Sequence, residues 1–294
     1  MAMDTIAVTG ATGQLGRLVL AGLAQAAPHA QLVGLVRDRA RAADLAAAGV
    51  ELRVANYDDP ASVTAALQGA DKVLLISSSE LGRRAAQHRA VIAAAQRAGV
   101  GLLAYTSLLH ADTTPLTLGL EHRETEADLR ALGVPFVLLR NGWYTENYTA
   151  GVAAALKYGV VLGSAGTGRI SSATRADYAS AAVAVLAHDA ATEAGRTYEL
   201  AGDASYTLAE YASEIARQSG VAVSYRDLPE ADYAAALVQA GLPPAFAQLL
   251  AESDAKAADG ALFDDSGTLG RLIGRPTTPL AEAVRQALAT TGGQ

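Results

Sequence analysis

The chain has no cysteine among its 294 residues. This absence excludes disulfides, thiolate nucleophiles, and zinc or iron–sulfur centres with cysteine ligands. Basic charge is not in excess, because the formal net charge is −7, which argues against nucleic acid or an anionic membrane as the main partner. No apolar run reaches the ~18 residues of a membrane span, and residues 1–4 lead into a predicted strand with no visible signal peptide. We expect a soluble, cytoplasmic protein without membrane insertion, and the sequence leaves its oligomeric state open.

Near its start the chain has a glycine-rich turn between a strand and a helix. Residues 5–9 are short, β-branched and apolar, as in a buried parallel strand, and Gln14–Ala26 has apolar residues at helical spacing. Glycines between them let the backbone approach a pyrophosphate, whose charge meets free N–H groups and the helix dipole. The alternative is a turn without a ligand. The turn predicts a dinucleotide cofactor, and the residues concerned are Gly10, Ala11, Thr12, Gly13, Gln14 and Leu15.

Arg37 indicates which dinucleotide is bound. Gln31–Val36 reads as the second strand, and the residue after it should meet the adenine ribose. NAD enzymes usually place an acidic residue there to hold the 2′-hydroxyl, whereas arginine suits a 2′-phosphate. We therefore predict NADPH rather than NADH. Asp38 and Arg39 follow at once, so a strand one residue longer would change this interpretation.

The first half of the chain alternates apolar strands with amphipathic helices, and the second half is mostly helical. This order predicts an α/β fold: a Rossmann-type, doubly wound parallel sheet with a smaller, mostly helical C-terminal lobe. Residues 141–174 read as a glycine-rich loop region. The predicted NADP-binding domain comprises residues 1–140 and about 171–202, and the predicted substrate-binding lobe about 141–170 and 203–294. The predicted strands are residues 5–9, 31–37, 50–55 (an edge strand), 71–77, 101–106, 135–140, 197–200 and 222–226.

Polar residues at the ends of the predicted strands are the candidates for binding and catalysis. Ser77, Ser78 and Ser79 follow the fourth strand, where they either contact the cofactor or cap a helix. Asn141 follows the sixth strand and can hydrogen-bond the cofactor amide or a substrate oxygen. After it, Trp143 and Tyr144 form either a flat apolar wall for a planar acceptor or ordinary core packing. Arg175 is a further candidate, as a cofactor ligand or as a structural ion-pair partner.

The fifth strand lacks the usual catalytic pair. Carbonyl-reducing short-chain dehydrogenases use a tyrosine with a lysine four residues later, but Tyr105 is followed there by Leu109. Ketone reduction creates a basic alkoxide that needs a proton donor, whereas quinone reduction creates a resonance-stabilised quinol anion. The absence therefore favours quinones over ketones. Tyr105, His110 and Asn141 are the catalytic candidates, and His110 and His122 are either proton donors or structural histidines.

No metal site is expected. The acidic residues of the predicted helix over 120–132 do not converge with a histidine in a ligand set, and they read instead as one solvated helical face. These residues are Glu121, Glu124, Glu126 and Asp128.

Seven segments spread along the whole chain carry a family resemblance: TGATGQLG at 9–16, LISSS at 75–79, AYTSLLHAD at 104–112, LRNGWY at 139–144, ATRADY at 173–178, LFDDS at 262–266 and PTTPLAE at 276–282. On these segments the chain resembles the bacterial type 2 NADPH:quinone oxidoreductases, a family of the NmrA-like branch of atypical short-chain dehydrogenases. The resemblance implies a Rossmann domain, a small C-terminal lobe, and direct hydride transfer from NADPH to a quinone without flavin. It also implies cofactor contacts at residues 10–15, at Arg37, at residues 77–79, and at Asn141, Gly142, Trp143, Tyr144, Thr145 and Glu146.

Two other functions compete with quinone reduction. NmrA-like relatives include redox sensors that bind NADP(H) without turnover, and the missing tyrosine–lysine pair fits a sensor equally well. Reduction of a carbon–carbon double bond ranks lowest, because it usually needs a positioned lysine and none lies at the predicted ligand edge.

Overall fold

A computed structural model describes residues 4–291, which divide into two compact units. The first unit comprises residues 4–112, Leu120–Asn141 and Arg175–Glu199, and the second comprises Thr113–Gly119, Gly142–Thr174 and residues 200–291. The sequence analysis assigned residues 113–119 to the NADP-binding domain. They group with the second unit, where the Thr117 hydroxyl donates to Oε1 of Glu252 at 2.7 Å.

The first unit is built on a seven-stranded sheet. Its strands lie in the order β3-β2-β1-β4-β5-β6-β8, and the pairings from β3 through to β6 are all parallel. The strand order reverses between β1 and β4, so the predicted α/β, doubly wound sheet is confirmed. The strands are β1 Thr5–Val8, β2 Gln31–Val36, β3 Glu51–Val54, β4 Lys72–Leu75, β5 Leu102–Leu108, β6 Phe136–Asn141 and β8 Thr197–Leu200.

Burial follows position in the sheet. Every residue of β1, β4 and β5 is buried, because helices cover both faces of a parallel sheet. β3 lies at the edge and is only partly buried, as predicted from its alternating sequence. The main apolar cluster of this unit includes Val33, Leu75, Ile92 and Leu138. The helices are α1 Gln14–Ala26, α2 Ala43–Ala47, α3 Pro60–Ala66, α4 Arg84–Ala98, α5 Gly119–Leu132, α8 Arg175–Ala187 and α9 Ala190–Glu193, with a 3-10 helix at Ala40–Ala42.

The second unit is rich in helices, as predicted for the C-terminal lobe, and has one small parallel sheet. That sheet pairs β7 (Val160–Gly163) with β9 (Ser224–Asp227). The interpretation of residues 141–174 as a loop region was wrong in part, because β7 and two short helices lie there. β7 pairs with β9, which lies some 60 residues further along the chain, so no local sequence pattern predicts β7. The helices are α6 Glu146–Thr149, α7 Val152–Tyr158, α10 Leu208–Ser219, α11 Glu230–Gln239, α12 Pro244–Ala257, α13 Thr268–Ile273 and α14 Leu280–Thr291.

Within residues 4–291, no helix is both long enough and apolar enough to cross a membrane. The same residues contain no group of three or more His, Asp and Glu side chains arranged to hold a metal ion.

Candidate functional site

The glycine turn (residues 10–16) joins the end of β1 to the start of α1. Gly10 has φ +59°, and its carbonyl oxygen accepts from the N–H of Gly13 at 2.9 Å. A Cβ on Gly16 would collide with that carbonyl and lie 2.9 Å from Cα of Ala11, so only glycine lets α1 start this close to the turn. Gly13 caps α1 without a side-chain hydrogen bond, which leaves the first N–H groups of the helix for an anion.

The turn is exposed where a ligand would approach. Thr12, Gly13 and Gln14 are exposed, whereas the side chains of Ala11 and Leu15 are buried in the unit. Any contact from Ala11 or Leu15 would therefore come from their backbones.

The serine segment (residues 77–79) begins two residues after β4 and lies beside the turn in the sheet order. The Ile76 N–H donates to Oγ1 of Thr9 at 2.9 Å, and the Ser77 N–H donates to Oγ1 of Thr106 at 2.8 Å. These bonds tie the segment to the ends of β1 and β5. The segment thus lies where the strand order reverses, which is the place where doubly wound sheets bind ligands.

Arg37 follows β2, the neighbour of β1, and its side chain is 79% exposed. Its Nη1 lies 3.6 Å from Oε1 of Glu80, a loose contact at the surface. The guanidinium is therefore within one strand of the glycine turn and is accessible to a phosphate.

The structure disagrees with a catalytic role for Tyr105. Its side chain is fully buried in the sheet, and its hydroxyl lies 2.7 Å from Nδ1 of His122, so it cannot reach a substrate. Burial raises the pKa of Tyr105 far above its ordinary value. His122 is also buried, and burial, with Arg84 and His88 adding to it, lowers the pKa of His122 well below 6.5. A solvent-facing proton donor is therefore neither of these two residues.

His110 and Asn141 lie at the ends of adjacent strands, β5 and β6. His110 has a left-handed backbone with φ +52°, and its N–H donates to Oε2 of Glu199 at 2.8 Å. Its imidazole Nδ1 lies 3.6 Å from the same oxygen, and the side chain is 36% exposed. Asn141 is buried, and its Oδ1 has no hydrogen-bond partner among residues 4–291. The buried oxygen is available to a donor such as a carboxamide.

Arg140, the residue before Asn141 in β6, belongs to a buried ion cluster that was not predicted from the sequence. Arg140 donates to Oε1 and Oε2 of Glu126 at 2.9 and 2.7 Å and to Oε1 of Glu199 at 2.7 Å. Ser107 also donates to Glu126, at 2.7 Å. The assignment of Glu126 to a solvated face was therefore wrong, since its side chain is only 2% exposed. The available signal was an arginine inside the otherwise apolar strand β6, which needs a carboxylate partner.

Residues 142–146 open the second unit. The Gly142 N–H donates to the Leu200 carbonyl at 2.8 Å, Trp143 is buried, and Tyr144 forms a bridge with Ala173. The Thr145 hydroxyl lies 2.8 Å from that of Ser172. Glu146 is the first residue of α6. Arg175 is the first residue of α8, in the first unit, and is partly buried.

The buried carboxyl of Asp254 connects two other segments of the second unit through hydrogen bonds. Oδ1 of Asp254 accepts from the Tyr148 hydroxyl at 2.8 Å, and its Oδ2 accepts from the Ser164 N–H at 3.3 Å. Burial raises the pKa of Asp254 to about 6. Tyr148 belongs to α6, so this carboxyl holds the helix that follows residues 142–145.

Comparisons with known proteins find similarity over most of the chain. A family model described as NAD(P)H-binding matches residues 10–189. The chain is 57% identical to quinone oxidoreductase 2 of Escherichia coli (strain K12) over 279 residues, covering 95% of this chain and 97% of that protein.

Two solved structures are also similar. The E. coli NADPH-dependent quinone oxidoreductase complexed with NADPH superposes with a TM-score of 0.93 at 56% identity, covering 96% of this chain and 99% of that one. The triphenylmethane reductase of Citrobacter sp., complexed with NADP(H), gives a TM-score of 0.92 at 35% identity, with the same coverage.

Proposed function

Because the chain belongs to the NAD(P)H-binding family of NmrA-like short-chain dehydrogenases, we propose that it reduces quinones with NADPH, without flavin or metal. The observation that carries the proposal is the similarity to quinone oxidoreductase 2, which extends over nearly the whole chain. The missing tyrosine–lysine pair supports it, because a quinol anion needs less acid assistance than an alkoxide. The cytoplasmic location expected from the sequence is part of the same proposal.

The residues of the first unit fit NADPH. The glycine turn offers uncapped helix N–H groups for the pyrophosphate, and the exposed guanidinium of Arg37 suits the 2′-phosphate. The unpartnered Oδ1 of Asn141 suits an amide donor, as the nicotinamide carboxamide would provide. We assign cofactor binding to these residues and to the serine segment. Residues 142–146 and Arg175 remain proposed contacts from the sequence.

Quinone reduction needs little acid–base catalysis from the side chains of the protein. NADPH, when bound, supplies a hydride, and the quinone gains two electrons and one proton with it. A second proton completes the hydroquinone. His110 is the proposed source of that proton, because it is partly exposed and its imidazole Nδ1 lies 3.6 Å from Oε2 of Glu199. The protein otherwise contributes position and exclusion of water.

Steady-state kinetics test the proposal. The purified protein, freed of flavin, should oxidise NADPH only when menadione or benzoquinone is present, and hydroquinone should form in equal amount. Binding of NADPH without any quinone turnover would contradict quinone reduction and would support the sensor function instead.

An Asn141→Ala variant tests the site. Loss of the buried acceptor removes one hydrogen bond to the carboxamide, so we expect kcat/KM for NADPH to fall by about tenfold. Unchanged turnover and unchanged NADPH affinity would exclude Asn141 from the active site.

A further inference from the structure

Ser78 is bound at each of its polar groups by one helix. Its N–H donates to Nε2 of His88 at 2.9 Å, and its hydroxyl donates to Oε1 of Gln87 at 2.6 Å. Its carbonyl oxygen accepts from Nε of Arg84 at 2.6 Å. All three partners lie in the first five residues of α4 and are buried.

The orientation of the His88 ring is fixed in turn. Nδ1 of His88 lies 2.9 Å from Oγ1 of Thr125, whose hydroxyl donates to the Glu121 carbonyl at 2.9 Å. The Thr125 oxygen therefore accepts from His88, which places the ring proton on Nδ1 and leaves Nε2 as the acceptor for Ser78.

The amide of Gln87 is fixed in the same way. Its Nε2 donates to Oε2 of Glu80 at 2.8 Å, so its Oε1 faces the Ser78 hydroxyl. The contacts to Ser78 from Gln87 and His88 are thus set before any ligand arrives.

We propose that Arg84, Gln87 and His88 form a clamp that positions the serine segment for NADPH. This inference rests on the proposed function. The N–H, hydroxyl and carbonyl of Ser78 are all bonded to this helix, so the segment presents Ser79 rather than Ser78 to the cofactor. A segment held in its binding shape loses less conformational freedom when the ligand binds, so we expect each hydrogen bond of the clamp to contribute at most about tenfold to the affinity for NADPH.

Four variants test the clamp through the Kd of NADPH, measured by its fluorescence, together with kcat at saturating NADPH. His88→Ala removes the acceptor of the Ser78 N–H, and we expect Kd to rise about tenfold with kcat within about twofold of the wild type. His88→Gln keeps an acceptor oxygen near the position of Nε2, so Kd should return to within about twofold of the wild type. Val91→Ala is the matched control, because Val91 is fully buried on the same helix and takes no part in the clamp. It should lower Tm without changing Kd.

The fourth variant, Gln87→Met, covers the case in which His88→Ala does not fold. It retains an unbranched side chain and removes both the acceptor of the Ser78 hydroxyl and the donor to Glu80, so we expect Kd to rise about threefold. An unchanged Kd for NADPH in the folded His88→Ala or Gln87→Met protein would overturn the clamp. The clamp would also be overturned if Val91→Ala raised this Kd as much as those two variants do. If the wild type binds NADPH but reduces no quinone, the proposed reaction is wrong. The clamp is then still tested by comparing the Kd of NADPH between the wild type and the variants. If the wild type binds no NADPH, both fail.

Discussion

Acidification should destabilise the first unit through His88. Nε2 of this histidine accepts from the Ser78 N–H and its Nδ1 donates to Thr125, so a second ring proton would face an N–H group. Burial, aided by the charge of Arg84, lowers the pKa of His88 from 6.5 to about 3. The folded protein therefore keeps the ring neutral at pH values where the unfolded chain binds a proton.

The magnitude follows from linkage. The stability associated with neutral His88 is fully present above pH 6.5 and is lost as the pH falls from 6.5 toward 3, because only the unfolded chain gains the proton. At about 1.4 kcal/mol for each pH unit, the 1.5 units between 6.5 and 5 correspond to about 2 kcal/mol. His122, the other buried histidine of this cluster, contributes with the same sign.

Urea denaturation of the wild type and of His88→Gln at pH 7.5 and at pH 5 isolates this effect. Between the two pH values, the free energy of unfolding of the wild type should fall by about 2 kcal/mol more than that of the variant, which has no titrating group at this position. Parallel losses in the two proteins would refute the assignment of a buried, neutral histidine that accepts from Ser78.

Three further predictions concern other parts of the molecule. Arg37→Ala should raise KM for NADPH by about 10- to 100-fold and leave KM for NADH unchanged, whereas the exposed neighbour variant Arg39→Ala should alter neither. Glu126→Gln removes the charge of one carboxylate partner of the buried Arg140, which keeps Glu199, and should cost about 1.5–3 kcal/mol of unfolding free energy. Glu124→Gln, on the exposed side of the same helix, should cost at most about 0.5 kcal/mol, and equal effects in denaturation would contradict the buried ion cluster. Burial raises the pKa of Asp254 from 3.8 to about 6, so the free energy of unfolding should fall by about 2 kcal/mol relative to Asp254→Asn as the pH rises from 4 to 6. A pH-independent difference between the two proteins in urea denaturation would count against that carboxyl being buried.

Sequence periodicity predicted most of the sheet correctly because each βα unit is encoded locally. The predicted strands 5–9 and 31–37 each end one residue after β1 and β2, and the predicted strand 135–140 begins and ends one residue before β6. A buried parallel strand is an apolar run on both faces, and that signal survives without knowledge of its neighbours. The predicted strand 222–226 overlaps β9, but β7 and its pairing with β9 were not predicted, because the pairing joins segments far apart in the chain.

The candidate site divides in a similar way. The glycine turn, Arg37 and the serine segment could be placed from the sequence, because strand ends of a doubly wound sheet meet at one edge. The hydroxyl of Tyr105 could not be judged in this way, since a strand-end tyrosine faces either a ligand or the core. Only the packing of α4 and α5 showed that it is buried against His122.

The sequence by itself determined the glycine turn between a strand and a helix, the arginine after the second strand, and the absence of the tyrosine–lysine pair. These are properties of residue type and spacing along one or two adjacent elements. Tertiary structure alone decided which polar residues form hydrogen bonds inside the protein. Ser78 is bonded to α4, and Glu126 is bonded to Arg140. The physical reason is that a polar side chain is satisfied either by water, by a ligand or by a neighbour, and the neighbours of residues on different elements exist only once the chain has folded.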